Sequence, residues 1–143
     1  MQVVRNPTLS RFERALASAL LAGDLEFLAT LRTQFDAARF DTHELSGAGF
    51  FLKFVVPESV LRVSPKNFEL GDVCFEAKGL PAGGGAIMFV RDGVIMMLEA
   101  YSHDGGWPED VTDFRLHYFD GEQRNMSAVS AAVTSPVRLH DQH

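Results

Sequence analysis

Glu99, Tyr101 and His103 are the residues of this chain most open to a chemical reading. They occupy alternate positions, so in an extended strand their side chains point the same way. A carboxylate beside an imidazole and a phenol could move protons. A structural reading competes and is favoured: Glu99 as a buried acceptor for loop amides, and Trp107-Pro108 as a plug at the sheet edge. No nucleophile or oxyanion donor evidently converges on the trio. A third reading takes Tyr101 and the only tryptophan, Trp107, ringed by Asp104, Glu109 and Asp110, as aromatic anchors with a charged rim for a protein partner.

The other chemical signals are weaker. Cys74 is the single cysteine, which excludes an internal disulfide framework and a cysteine-rich zinc site. It could act as a nucleophile with His103 or His117. A lone cysteine in a Phe-rich strand is more readily a small buried hydrophobe, since reactivity needs a polar, electropositive setting. His43-Glu44 opens like a metalloprotease helix, but Gly47 stands where the second histidine is required. Gly83-Gly84-Gly85 lacks the following Lys-Ser/Thr of a phosphate-binding loop and leads into a strand, so it reads as a turn entering the next hairpin. There is no Gly-x-Ser-x-Gly elbow. His140 and His143 lie three apart near the end of the chain, and the other histidines show no ligand-like spacing. No cofactor, metal centre or catalytic set is expected.

These residues must be held by one domain, because the chain has 143 residues and 46% apolar content. Its twelve phenylalanines supply large apolar area with no polar group to satisfy, so most belong in a core. The opening Met1-Gln-Val-Val-Arg is not followed by a signal-type apolar run, and no stretch reaches the roughly 20 apolar residues of a membrane span. A reducing cytoplasmic setting is expected, with no membrane partner. The formal net charge of −6 argues against direct contact with nucleic acid. The acid is one-sided: eight Asp and Glu residues lie between Asp92 and Glu122, with Arg115 the only cation among them. Such a half suits a basic protein partner, or simply a soluble surface.

Residues 8–40 read as two helices. Ser10 and Glu13 fit a capping box, Leu9, Phe12, Leu16 and Leu20 form an apolar stripe, and Gly23 fits the stop. Asp24 then caps a second helix with Leu28, Leu31 and Phe35 inside and Arg32, Asp36 and Arg39 outside. Strands are expected over 50–56, within 67–77, and over 113–119. The clearest local signal is a hairpin, Ala86–Arg91 and Val94–Glu99, joined by Asp92-Gly93 in a type I′ turn. Regular pairing from that turn sets Phe89 opposite Met96, Met88 opposite Met97, Ile87 opposite Leu98 and Ala86 opposite Glu99. Both faces are then apolar, so the hairpin should lie centrally, covered by the helices on one side and by loops, a second layer of sheet or another chain on the other. The expected fold is α+β: an N-terminal helical pair packed on an antiparallel sheet of about five strands with a central β-hairpin, over residues 1–121, followed by a loose tail at 122–143.

The run Gly49–Pro57, then Leu70-Gly-Asp-Val73, then Gly85–Gly93 through Leu98-Glu-Ala-Tyr101 and Trp107-Pro108 resembles small bacterial immunity proteins of polymorphic toxin and contact-dependent growth-inhibition systems. The resemblance covers about residues 47–119, and its motifs are structural. It implies a non-enzymatic protein that binds and neutralises a cognate secreted toxin, often a nuclease, in the cytoplasm. With the acidic half, it places the interface at Tyr101, Asp104, Trp107, Glu109, Asp110 and Asp113 and makes the toxin domain basic. The alternatives are a small hydrolase or ligand-binding enzyme using Glu99, His103 and Cys74, and a structural subunit whose uncovered hairpin face forms a homodimer.

Overall fold

The computed structural model describes residues 2–134. In chain order the elements are β1 (Gln2–Arg5), α1 (Arg11–Leu20), α2 (Glu26–Ala37), β2 (Arg39–Leu45), β3 (Gly49–Val55), β4 (Phe68–Ala77), β5 (Leu80–Arg91), β6 (Val94–Ser102), β7 (Phe114–Tyr118) and α3 (Met126–Thr134). The strands form one antiparallel sheet in the order β1-β2-β3-β6-β5-β4-β7, with the β5–β6 hairpin at its middle. The α+β class and the hairpin are as expected. The sheet has seven strands rather than about five, and a strand precedes the helical pair. The two extra strands are those with the weakest pattern: β1 is four residues long and exposed, and β2 mixes Phe40 and Leu45 with Asp41, Thr42, His43 and Glu44.

The capping box forms as the sequence requires. Ser10 Oγ accepts the Glu13 N–H at 3.2 Å, and Glu13 Oε1 accepts the Ser10 N–H at 2.8 Å. Phe12, Leu16 and Leu20 are buried against the sheet. The start of α2 differs from expectation: Leu25 is the N-cap and makes no side-chain cap bond, so Asp24 does not serve. Arg32 does not point away either. Its Nη1 donates to the carbonyls of Leu21 (2.6 Å) and Gly23 (2.9 Å). Tyr118 Oη donates to Ala19 O at 2.7 Å and Arg124 Nη1 to Ala22 O at 2.7 Å. The orphan carbonyls at the end of α1 are thus met by three distant side chains, two of them cationic, as the negative end of a helix favours.

Arg124 also holds Asp72 with two bonds of 2.9 and 2.8 Å and lies over the Tyr118 ring. That clamp leads into α3, whose Val129 and Val133 are buried. The stretch expected as a loose tail therefore begins as a packed helix. Small residues hid it, because Ala128, Ala131 and Ala132 carry little apolar pattern. His140 and His143 lie outside the described residues.

The hairpin departs from its expected register in a way that matters for function. Asp92 (φ 54°) and Gly93 (φ 78°) make the turn, and Arg91–Val94 and Val90–Ile95 pair as expected. Met96 is then skipped: Phe89 pairs with Met97, Met88 with Leu98, Ile87 with Glu99 and Ala86 with Ala100. One extra residue on β6 bulges outward and exchanges the faces of everything beyond it. Leu98 and Ala100 turn under the helices, whereas regular pairing would have put Glu99 on the same side as Leu98's neighbours Met88 and Ala86. The helices cover one side of the hairpin only. The other side is half-buried and has no cover among the described residues, so of the covers expected there, loops and a second sheet layer are not supplied within them. Gly83, Gly84 and Gly85 also lie within β5 rather than in a turn. A Cβ on Gly84 would meet the Phe75 ring at 2.5 Å, and one on Gly85 would meet Tyr101 Oη at 2.5 Å. Glycine is needed there because the Tyr101 carbonyl and the Phe75 ring press on Gly84 and the Tyr101 ring lies across Gly85.

A single buried amide holds the bulged end in place. Gln34 of α2 is fully buried. Its Nε2 donates to Leu61 O (2.8 Å) and Gly93 O (3.0 Å), and its Oε1 accepts the Ile95 N–H at 2.9 Å. Replacing Gln34 with Leu removes all three bonds and strands the buried Ile95 N–H. Each buried orphan costs about 1–3 kcal/mol. Urea unfolding of Gln34→Leu is expected to show a loss of about 2–5 kcal/mol with an unchanged slope. A loss below about 0.5 kcal/mol would contradict this role for the amide.

Candidate functional site

The residues singled out from the sequence fall on two surfaces. The first is the open side of the sheet. Tyr101 of β6 lies between Gly49 of β3 and Gly85 of β5, and Gly85 in turn pairs with Cys74, which pairs with His117 of β7. Because Gly85 has no side chain, the Tyr101 ring lies over it toward Cys74. Glu99 sits one row away, between Phe51 and Ile87. His103, exposed at the strand end, meets the Tyr101 ring edge-on at 5.7 Å. Glu99, Tyr101 and His103 therefore do share a face, and Cys74 joins them.

Burial dominates the electrostatics of this face. Burial, and then the charge of Asp72, push the Cys74 thiol up, which keeps it protonated. His117 lies across from it but directs Nδ1 to the Tyr118 carbonyl at 3.1 Å. Burial raises the Glu99 carboxyl, as a carboxylate between Phe and Ile side chains loses hydration. Burial also raises the Tyr101 phenol, with the neighbouring Cys74 and Glu99 charges adding to it. No hydrogen bond links Glu99, Tyr101, His103 or Cys74 side chains to one another among the described residues. A hollow of about 410 Å³ lies elsewhere, between the start of α2, residues 62–65 and α3, and none of these four lines it. Among the described residues no group of three His, Cys, Asp or Glu side chains is placed to hold a metal ion.

The second surface is the long connection from β6 to β7. Trp107 is wedged on the helix side, with ring centroids 6.2 Å from Phe12, 5.8 Å from Phe50 and 5.9 Å from Phe75. It is thus on the opposite side of the sheet from Tyr101, and the two aromatics do not form one patch. The plug reading of Trp107-Pro108 fits this packing, and Pro108 rests against Gly79. Further anchors follow. Ser102 Oγ donates to Gly106 O, Val111 packs on the core, Arg11 Nη2 donates to Thr112 O at 2.9 Å, and the Lys78 N–H donates to Asp113 O at 3.0 Å. Arg11 also stacks over Phe114 at 4.6 Å. On this anchored loop Asp104, Glu109, Asp110 and Asp113 are all exposed. None of them enters an ion pair among the described residues.

One half-buried Glu–His contact escaped the sequence reading. His43 Nε2 lies 2.7 Å from Glu13 Oε2, and its ring stacks on Phe50 at 4.8 Å. Burial acts to raise the Glu13 carboxyl, but the His43 and Ser10 bonds outweigh it and hold the group below the usual range. Glu13 thereby closes the capping box and ties α1 to β2. Only knowledge that β2 is a strand facing α1 would have revealed it.

No family model, curated protein or solved structure matches this chain.

Because burial raises Glu99, its ionised form opposes folding above that raised value, and the cost disappears once both states are protonated. Glu99→Gln is therefore expected to raise the melting temperature at pH 8. The gain should vanish as the pH falls below the ordinary glutamate value of about 4.3. Thermal scans across that range check this. A gain that does not change with pH, or a loss at pH 8, would contradict it.

Proposed function

We propose that this chain is a non-catalytic, cytoplasmic immunity protein that binds and neutralises a cognate secreted toxin with a basic surface. The observation that carries the reading is the β6–β7 loop. Four exposed carboxylates, Asp104, Glu109, Asp110 and Asp113, form no ion pair among the described residues and stand on a segment fixed by Trp107, Val111 and Arg11. Unpaired surface charge costs stability through self-repulsion in a chain of net charge −6, so its concentration here favours a role outside the fold. An anchored loop loses little entropy on docking, and its charges steer a basic partner toward it. A toxin that holds nucleic-acid phosphate would present such a surface.

The reading refines the interface. Trp107 belongs to it as the internal anchor of the loop, while Tyr101 lies on the far side of the sheet and is not part of the same contact. The raised thiol of Cys74 weighs against its use as a nucleophile in the hydrolase alternative. No helix among the described residues is long and apolar enough to cross a membrane, which fits the proposed setting.

The test uses the C-terminal domain of the protein encoded immediately upstream. Co-expression with this chain is expected to restore growth that the domain alone arrests. The double variant Glu109→Lys, Asp110→Lys should fold normally, weaken binding about tenfold or more at low salt, and lose less at high salt. Failure to protect growth, or equal affinity of both forms at every salt concentration, would sink the proposal.

A further inference from the structure

We propose that the open side of the sheet is a self-association surface, on which a second copy of this chain packs face to face. The proposal does not rest on the toxin reading. The helices cover one side of the sheet, and the other carries the half-buried Phe51, Ile87, Phe89 and Met97 at its centre. Apolar side chains in the middle of a bare antiparallel sheet call for a second layer, as in aligned sheet packing.

The charges on this side select the occupant. Lys53 of β3, Met97 of β6, Phe89 of β5 and Glu69 of β4 form one row across four neighbouring strands. The row is basic at one end, apolar in the middle and acidic at the other. A two-fold axis running along the strands between β6 and β5 reverses the row of the second copy. Lys53 then faces the second copy's Glu69, Glu69 faces its Lys53, and Met97 faces its Phe89. In the adjacent row, Phe51–Glu99–Ile87–Gly71, Phe51 meets the second copy's Gly71, which carries no side chain, and Glu99 meets its Ile87. A basic or acidic foreign partner would match only one end of the row, whereas a second copy matches both, as an isologous contact requires. Glu69 also holds Arg91 at 2.8 Å, so it is already oriented on this side. Trp107 directs the acidic loop to the helix side, which leaves its carboxylates outside the dimer.

Sedimentation velocity of the full chain, from low micromolar to near-millimolar concentration, tests the proposal. A monomer–dimer equilibrium is expected. Lys53→Glu, which touches no ion pair among the described residues, and Glu69→Lys, which also releases Arg91, should each weaken it about tenfold or more by setting like charges opposite one another. An equimolar mixture of the two folded variants should form heterodimers at wild-type strength, because each then presents the opposite charge to the other. Phe89→Asp should be monomeric throughout. A wild-type chain that stays monomeric, or a dimer that neither reversal weakens, would overturn the proposal. So would a mixture that associates no better than either variant alone.

Discussion

The grip of Gln34 on the tip of the central hairpin governs which side chains meet the helices and which are left bare. A fully buried amide must satisfy every hydrogen-bonding group it carries, and Gln34 does so with Leu61, Gly93 and Ile95. Its acceptor takes the amide of the residue just before the bulge. Met96 is thereby left outside the ladder, and the pairing beyond it slips by one residue. Leu98 and Ala100 join the core under α1 and α2, while Glu99 and Tyr101 emerge on the bare side. A one-residue slip in a strand exchanges every side chain between faces, so this one tethering contact separates a core from a surface.

The rest of the molecule is held by similar contacts between distant parts of the chain. The last carbonyls of α1 are satisfied by Arg32, Tyr118 and Arg124 rather than by a local cap. Its first turn is fixed twice over, by the capping box and by the Glu13–His43 pair. Trp107 completes an aromatic cluster with Phe12, Phe50 and Phe75, and so fastens the acidic loop to the same helix. A helix fixed at both ends and against a loop leaves one side of the sheet committed to the core. The other side has no such cover among the described residues, and its polar and apolar groups are free to serve contacts outside the chain.

What the sequence made legible follows from the range of each interaction. The capping box, the apolar stripe of α1 and the Asp-Gly turn depend on residues within a few positions of one another, and all three are present. The bulge, the Gln34 contacts and the Arg124–Asp72 clamp join residues far apart in the chain, and no local pattern announces them. β2 was missed because its core contacts are made by His43 and Phe40 among polar neighbours, and α3 because alanine carries little amphipathic signal. The acidic loop was legible as composition. That its carboxylates are exposed while its tryptophan is internal was not, since a Trp-Pro pair among acidic residues is equally compatible with either placement.

The functional reading depends on the sorting of the two faces, and the pairing of β5 with β6 decides that sorting. A map of cross-strand backbone NOEs for the hairpin measures it directly. The expected pattern sets Phe89 opposite Met97, Met88 opposite Leu98 and Ile87 opposite Glu99, with Met96 unpaired. A continuous ladder with Met88 opposite Met97 and Ala86 opposite Glu99 would contradict the account, because Glu99 would then lie under the helices and Leu98 would take its place on the bare face.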